Sequence, residues 1–277
     1  AGGVRPAGGV PAHRDDRRLM AAPAIRAWGA RLGWPLLGFA VALALWALGA
    51  RQLSDVEAIR TAFSPQAGLA AWARLLHGGS LWPHMAISLQ RVALALGLAL
   101  ALGVPLGLWL GLSPRFARAT GAVFQFLRMV SPLSWMPLAV MALGVGEAPV
   151  VFLLAFAAVW PVMLNTAAGV AALDAAWLRL AASLCATRWE TVRGVVLPGI
   201  VAHVLTGFRL ALGIVWIVLV PAEMLGVSAG LGYFILDTRD RLAYDELTAG
   251  ILTVGVLGFA LDALARLLSR RWTHAGG

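Results

Sequence analysis

The sequence predicts an all-α polytopic membrane protein of about six transmembrane helices, and three observations carry that prediction. Of its 277 residues, 60% are hydrophobic and 13% charged, against roughly 45–50% and about 25% in ordinary soluble domains. Six stretches approach or exceed the ~20 mainly apolar residues that a helix needs to cross a hydrocarbon core about 30 Å thick. The 22 basic residues, all of them arginine, gather in alternate inter-span segments. The apolar content excludes a disordered chain, and a single cysteine excludes an intrachain disulfide scaffold.

The spans are expected at 32–50, 84–111, 116–143, 149–170, 199–222 and 242–268. Pro132 and Pro137 interrupt the third, which a membrane helix tolerates when its neighbours take up the freed backbone groups. Arginine sets the orientation. With the N-terminus in the cytoplasm, the inner segments hold 14 arginines (5, 14, 17, 18, 26, 31, 115, 118, 179, 188, 193, 266, 270 and 271) and the outer ones five (51, 60, 74, 239 and 241). Positive residues stay inside, so both termini are expected there. Residues 1–31 then form a basic cytoplasmic tail lacking the apolar run of a signal peptide, 32–268 the transmembrane domain, and 269–277 a short cytoplasmic tail. Outside, the run 231–236 is too apolar for a free loop and too short to cross. Segment 224–241 is therefore expected to re-enter the membrane or lie on its surface.

Catalytic chemistry is missing. Without lysine there is no G-x-x-x-x-G-K-[ST] phosphate loop, and the G-x-S-x-G and H-E-x-x-H motifs are absent too. The five histidines (13, 77, 84, 203 and 274) lack metal-ligand spacing. No metal, bound cofactor or nucleic-acid partner is expected; the chain reads as a conduit in membrane lipid, not an enzyme. A secondary transporter would carry coupling-ion carboxylates inside its spans, and a redox anchor would carry paired intramembrane histidines. Neither pattern is evident.

The inner segment 174–194 is helix-prone and moderately amphipathic, with Leu178, Ala181, Ala182 and Cys185 on one helical face. Such a helix suits a partner's groove, and it equally suits the lipid headgroup layer. Pro198 follows Leu197 at the start of span five, where a missing N–H costs nothing. The segment resembles the cytoplasmic loop of binding-protein-dependent ABC importer permeases, patterned E-A-A-x3-G-x9-I-x-L-P. Aligned on Leu197 and Pro198, Cys185 takes the Gly position, Val195 the Ile position, and Arg179, Leu180 and Ala181 the E-A-A triplet. Ala186, Thr187, Arg188 and Trp189 match the A-S-R-W run behind the Gly, so the signature Glu and Gly are both replaced.

Other stretches resemble the nitrate/sulfonate/taurine branch of that family, in order from about residue 80 to 268. Residues 126–138, with Arg128, Ser131 and Trp135, resemble its third span, and 160–170, with Asn165, its fourth. Residues 207–216 with Arg209, then 222–226 with Glu223 and 230–237, resemble its fifth span and the loop after it. The resemblance implies a type I ABC importer permease (MetI-like) fold in a bacterial inner membrane. It also implies a second permease copy in a homodimer, two cytoplasmic ATPase subunits that bind ATP and Mg, and a soluble or lipid-anchored substrate-binding protein outside. Segment 174–194 would be the coupling helix. Leu178, Ala181, Ala182, Cys185, Ala186, Thr187, Arg188 and Trp189 would meet the ATPase, with Leu197 and Pro198 setting the exit into span five.

Three arginines fall inside spans, where each costs about 2.5–3.5 kcal/mol at mid-bilayer and turns toward protein or water. Arg91 is near the outer end of its span, within snorkelling reach of water, while Arg128 and Arg209 are near mid-depth. Arg128 and Arg209, with Ser131, Trp135, Asn165 and Glu223, are expected to line a pathway for a small anion such as nitrate, a sulfonate, taurine or bicarbonate. Alternatively, the two arginines satisfy carbonyls freed by prolines, or pair with Glu223 or another acid. Gly103, Gly107 and Gly111 form a small-xxx-small stripe for close helix packing, and Asp262 and Arg266 a local i,i+4 pair.

Overall fold

The computed structural model describes the backbone of residues 22–52 and 57–274, and the side chains of residues 34, 37–52 and 60–267. Residues 1–21 of the expected N-terminal tail lie outside the described residues, as do 275–277 of the C-terminal one. The chain divides into two parts, 1–65 and 66–277. In the first, helix α1 (Ala22–Gln52) begins ten residues before the expected span, and α2 (Glu57–Ala62) follows it. Trp46 Nε1 donates to the Phe63 carbonyl at 3.1 Å, closing the turn after α2 back onto α1.

The second part opens with α3 (Pro65–His77), an amphipathic helix. Then come α4 (Leu81–Leu112), the arms α5 (Pro114–Met129) and α6 (Met136–Leu143), and α7 (Glu147–Ala171). A short cross-piece, α8 (Ala175–Ser183) and α9 (Arg188–Thr191), leads through a π-helical turn Val192–Val196 into α10 (Leu197–Met224). Helices α11 (Leu231–Asp240) and α12 (Tyr244–His274) complete the chain. Among the described residues, four helices are long and apolar enough to cross a membrane: α4, α7, α10 with the turn before it, and α12. The α5–α6 pair supplies a fifth, bent by 90°. The apolar part of α1, Leu37–Gln52, is shorter than those spans.

The interruption expected at Pro132 in the third span is a full break. Pro132 drives Ser131 out of the helical region, to ψ 129°, and lacks the N–H that would have continued the ladder. Val130 is also extended, and a 3-10 turn Pro132–Trp135 redirects the chain into α6.

Helix α7 is the spine, packed along α4 on one side and α10 on the other. Its Val150, Leu153, Leu154, Ala158 and Val162 interlock with Val92, Ala95, Leu96 and Ala99 of α4 and with Ala211, Leu212, Val215 and Leu219 of α10. Those i, i+3, i+4 stripes face protein, while Leu94, Leu98, Leu102 and Trp109 on the other side of α4 are exposed, as lipid-facing side chains are. The glycine stripe permits this closeness. A Cβ at Gly103 would press on Val162, one at Gly107 would overlap the Met163 carbonyl and Thr166, and one at Gly111 would meet Val170 at 2.6 Å.

Gly107→Ala is therefore expected to lower the thermal unfolding midpoint in detergent, by the 1–3 kcal/mol or so that overpacking costs. Gly97→Ala on the same helix, where a Cβ would meet nothing within 4 Å, should instead hold or raise it. Equal midpoints would mean that the α4–α7 contact is looser than described.

Candidate functional site

Three constellations stand out, one at the bend and one at each end of the helix pair α7–α10. At the bend, Arg128 occupies the last turn of α5, exposed, with Nη2 donating to Gln125 Oε1 at 2.8 Å. No acid pairs with it among the described residues. It borders two adjoining grooves of about 130 and 270 Å³ that share Trp160 and Leu164. Trp160 is flanked by Phe124 and Phe156, with ring centroids 6.0 and 5.4 Å away. Ser131 is exposed at the bend, and Asn165 is half-buried with its amide donating to the Pro161 carbonyl at 2.8 Å. Trp135 packs on Phe156 with its Nε1 buried and without a partner among the described residues.

Arg209 belongs elsewhere. Its Nε donates to Asp262 Oδ1 at 3.2 Å, and the other oxygen of Asp262 takes Arg266 at 2.5 Å. Arg209 thus has an acid within reach, though Asp262 and not Glu223, and the i,i+4 pair of α12 extends into a triad. The two mid-span arginines, alike in sequence, differ in that one charge is compensated and the other is not.

Glu223, expected on the pathway, is fully buried in the second constellation. Arg91 is its partner and is itself only 1% exposed, not snorkelling as its depth suggested. The Arg91 guanidinium donates from Nη1 to Glu223 Oε1 at 2.6 Å and to the Ala229 carbonyl at 2.8 Å. From Nε and Nη2 it donates to both oxygens of Glu147, each at 2.6 Å. The Ser88 hydroxyl lies 2.7 Å from Glu223 Oε1 and accepts the Leu231 N–H at 2.9 Å, while the Gly232 N–H reaches Glu223 Oε2 at 2.8 Å. The chain passes so close that Gly230, at φ +116°, has no room for a Cβ, which would lie 2.5 Å from both Arg91 and Glu223. Segment 224–241 is thereby pinned. Its apolar run becomes α11, which buries Leu231, Phe234 and Ile235. Sequence reasoning missed Ser88, Arg91 and Glu147, although a signal was present: an intramembrane arginine and two acids all fall at the same ends of their spans.

The third constellation is the cross-piece. Asp174 caps α8 by accepting the Ala176 N–H at 2.8 Å. The far end closes with paired bonds, Ala186 N–H to the Ala181 carbonyl at 3.0 Å and Cys185 N–H to Ala182 at 3.1 Å. That arrangement needs a left-handed residue, and Cys185 supplies it at φ +56°. The bend at the family's glycine position therefore persists without the glycine. Thr187 then caps α9 in a reciprocal box with Glu190, whose carboxylate accepts the Thr187 N–H at 2.7 Å.

The face expected to dock is partly turned inward. Ala181 is buried, and Leu178 packs on the cluster of Val170, Val196 and Ile200. Trp177, Leu180, Leu184 and Trp189 present the exposed apolar surface instead, with Ala182, Cys185, Thr187 and Arg188 also exposed and Ala186 half-buried. Leu197 joins the inner cluster, and Pro198 is exposed in the first turn of α10. Among the described residues, no three His, Cys, Asp or Glu side chains are placed to hold a metal ion.

Comparison with known proteins accounts for this architecture. Residues 103–274 match the family model described as "Binding-protein-dependent transport system inner membrane component". The chain is 35% identical to the taurine transport system permease protein TauC of Escherichia coli, over 70% of each chain. It is 34% identical to the nitrate import permease protein NrtB of Leptolyngbya laminosa, over 70% of this chain and 69% of that one. It is also 34% identical to the putative aliphatic sulfonates transport permease protein SsuC of Bacillus subtilis, over 87% of each. In fold it is similar to a chain of the MetNI methionine ABC transporter in an inward-facing conformation, with a TM-score of 0.60 and 16% identity, covering 71% of this chain and 97% of that one. The chain belongs to the family of binding-protein-dependent transport system inner membrane components, and within it to the nitrate/sulfonate/taurine branch of ABC importer permeases.

The left-handed Cys185 yields a direct expectation. Cys185→Gly should raise the unfolding midpoint by the equivalent of about 0.5–1 kcal/mol, because glycine takes that conformation without steric cost. Cys185→Val should lower it, since a β-branched residue fits there worst. Thermal unfolding of the purified variants separates the two.

Proposed function

We propose that this chain is the pathway-forming permease of an ATP-driven importer for a small oxyanion, acting as a homodimer. Two cytoplasmic ATPase subunits hold the ATP and Mg, and this chain holds no cofactor of its own. A substrate-binding protein delivers the solute from outside, both termini are cytoplasmic, and segment 224–241 faces out. The observation that carries the substrate class is Arg128, a cation without an acid partner at the break of a span, beside an aromatic-lined groove. An uncompensated guanidinium in low dielectric favours an anion nearby, and its planar fork fits nitrate, sulfonate or bicarbonate oxygens in pairs. Relatives named for taurine, nitrate, aliphatic sulfonates and bicarbonate support the same class. Ser131, Trp135 and Asn165 line that path beside it. Trp177, Leu180, Leu184 and Trp189, with Thr187 and Arg188, form the ATPase contact.

Purified in mild detergent from its own host, the tagged chain should carry a phosphate-loop ATPase at about 1:1 and capture a binding protein on crosslinking. A chain recovered alone, with uptake that survives ATP depletion, would overturn the reading. In the reconstituted importer, Arg128→Gln should cut anion uptake by about tenfold or more while leaving assembly with the ATPase intact, that factor corresponding to about 1.4 kcal/mol. Arg209→Gln should leave uptake nearly unchanged, because Asp262 keeps Arg266 as its partner. The reverse pattern would move the pathway to Arg209.

A further inference from the structure

Three features of the Arg91 cluster ask more of it than holding the fold. Its two carboxylates are unequal, since the Glu223 side chain is fully buried while that of Glu147 is 63% exposed. Glu147 heads α7 directly after Gly144 and Gly146, at φ +80° and +129°, around neither of which a Cβ would meet anything within 4 Å. The bent span thus joins α7 through an uncrowded two-glycine link. Segment 226–232, fixed on the Glu223 side, also leans on the bent span, where a Cβ at Gly226 would come within 2.9 Å of Met136 Cε. One guanidinium therefore ties the α6–α7 link, through Glu147, to segment 226–232, through Glu223.

We propose that Arg91 is the shared pin of an outer gate. Glu223 and Ser88 hold segment 226–232 to it permanently, and Glu147 is the arm that lets go when the pathway opens outward. The inference rests on the permease reading above. Arg91 touches no solute in this role and is a positioning residue. The division of labour follows from desolvation. A fully buried carboxylate stripped of its partner is strongly destabilising, so the Glu223 bond stays closed in both states. Opening the Glu147 bond uncovers two donors of the buried guanidinium but frees a carboxylate that is itself exposed, so of the two arms it is the one that opens at lower cost. An external partner shifts a two-state gate only by preferring one state, so the binding protein works against the Glu147 bond. Weakening that bond hands part of the partner's task to the permease itself.

The test uses the assembled importer, permease with ATPases, in proteoliposomes with and without binding protein. Glu147→Gln keeps the shape, removes the charge and leaves one of the two acceptors that Arg91 uses. The expected result is a rise in binding-protein-independent ATP hydrolysis on the order of fivefold, with a matching fall in stimulation by the binding protein. Spin labels at the exposed positions Val145 and Ser228 should show a longer-distance population in the variant than in the wild type at rest. Arg91→Lys, which keeps the charge but loses the fork, should shift both readouts in the same direction. If the wild type is stimulated normally while Glu147→Gln matches it in basal hydrolysis and in distances, the gate assignment fails. A variant that merely loses stability and activity together also overturns it, leaving a structural brace. A wild type with no stimulation at all overturns the permease reading first.

Discussion

A guanidinium inside a membrane bundle has to be met by charge and hydrogen-bond acceptors, and meeting Arg91 organises one whole end of this protein. Five donors on a rigid fork draw in Glu147 from the start of α7, Glu223 from the end of α10 and the Ala229 carbonyl from the chain beyond. Glu147 also sits where the N-terminal half-charge of α7 favours a carboxylate. Because Glu223 is spoken for, the following segment must fold against it. Ser88 and the Leu231 and Gly232 amides complete the coordination, and glycine at 230 is the only residue that fits between them. The geometry of α11 follows from that clamp.

The same two helices reach the opposite end. Val170 in the last turn of α7 and Ile200 in the first turn of α10 both pack on Leu178 of the cross-piece. The 25 residues of α7 rise through roughly 37 Å, so the cross-piece and the Glu147–Glu223 cluster lie at opposite ends of one close-packed helix pair. The Asp174 cap at the start of α8 and the Thr187–Glu190 box at the start of α9 give the cross-piece a defined geometry. Gly103, Gly107 and Gly111 let α4 approach α7 closely along that length.

Much of this was legible in the residues. Apolar run length located the long helices and the small-xxx-small stripe marked a close helix seam, while the apolar segment after residue 230, expected to re-enter the membrane or lie on its surface, forms α11 with Leu231, Phe234 and Ile235 buried. What escaped was everything that depends on pairing across the fold. The sharp turn at Ser131 needed the combined effect of Pro132 and an extended Val130, where single prolines suggested only an interruption. Helical periodicity put Leu178, Ala181 and Cys185 on one face but could not say whether that face looked into the protein or out of it. The signature glycine is replaced at 185, yet the bend is set by the hydrogen bonds around it, and Cys185 bears the left-handed conformation instead.

The three span arginines differ in compensation more than in depth. Arg91 is saturated by two acids and a carbonyl, so no capacity is left for a passing anion. Arg209 shares Asp262 with Arg266, a triad with net charge +1 but with its acid already engaged on both oxygens. Arg128 has an amide oxygen as its neighbour, open space beside it, and the indole of Trp160 on the wall of that space. A neutral amide satisfies a donor without cancelling its charge, so the field of Arg128 still extends into the groove. In a symmetric pair of permeases two such fields would act on one path, concentrating anions at the bend without binding them so tightly that release fails.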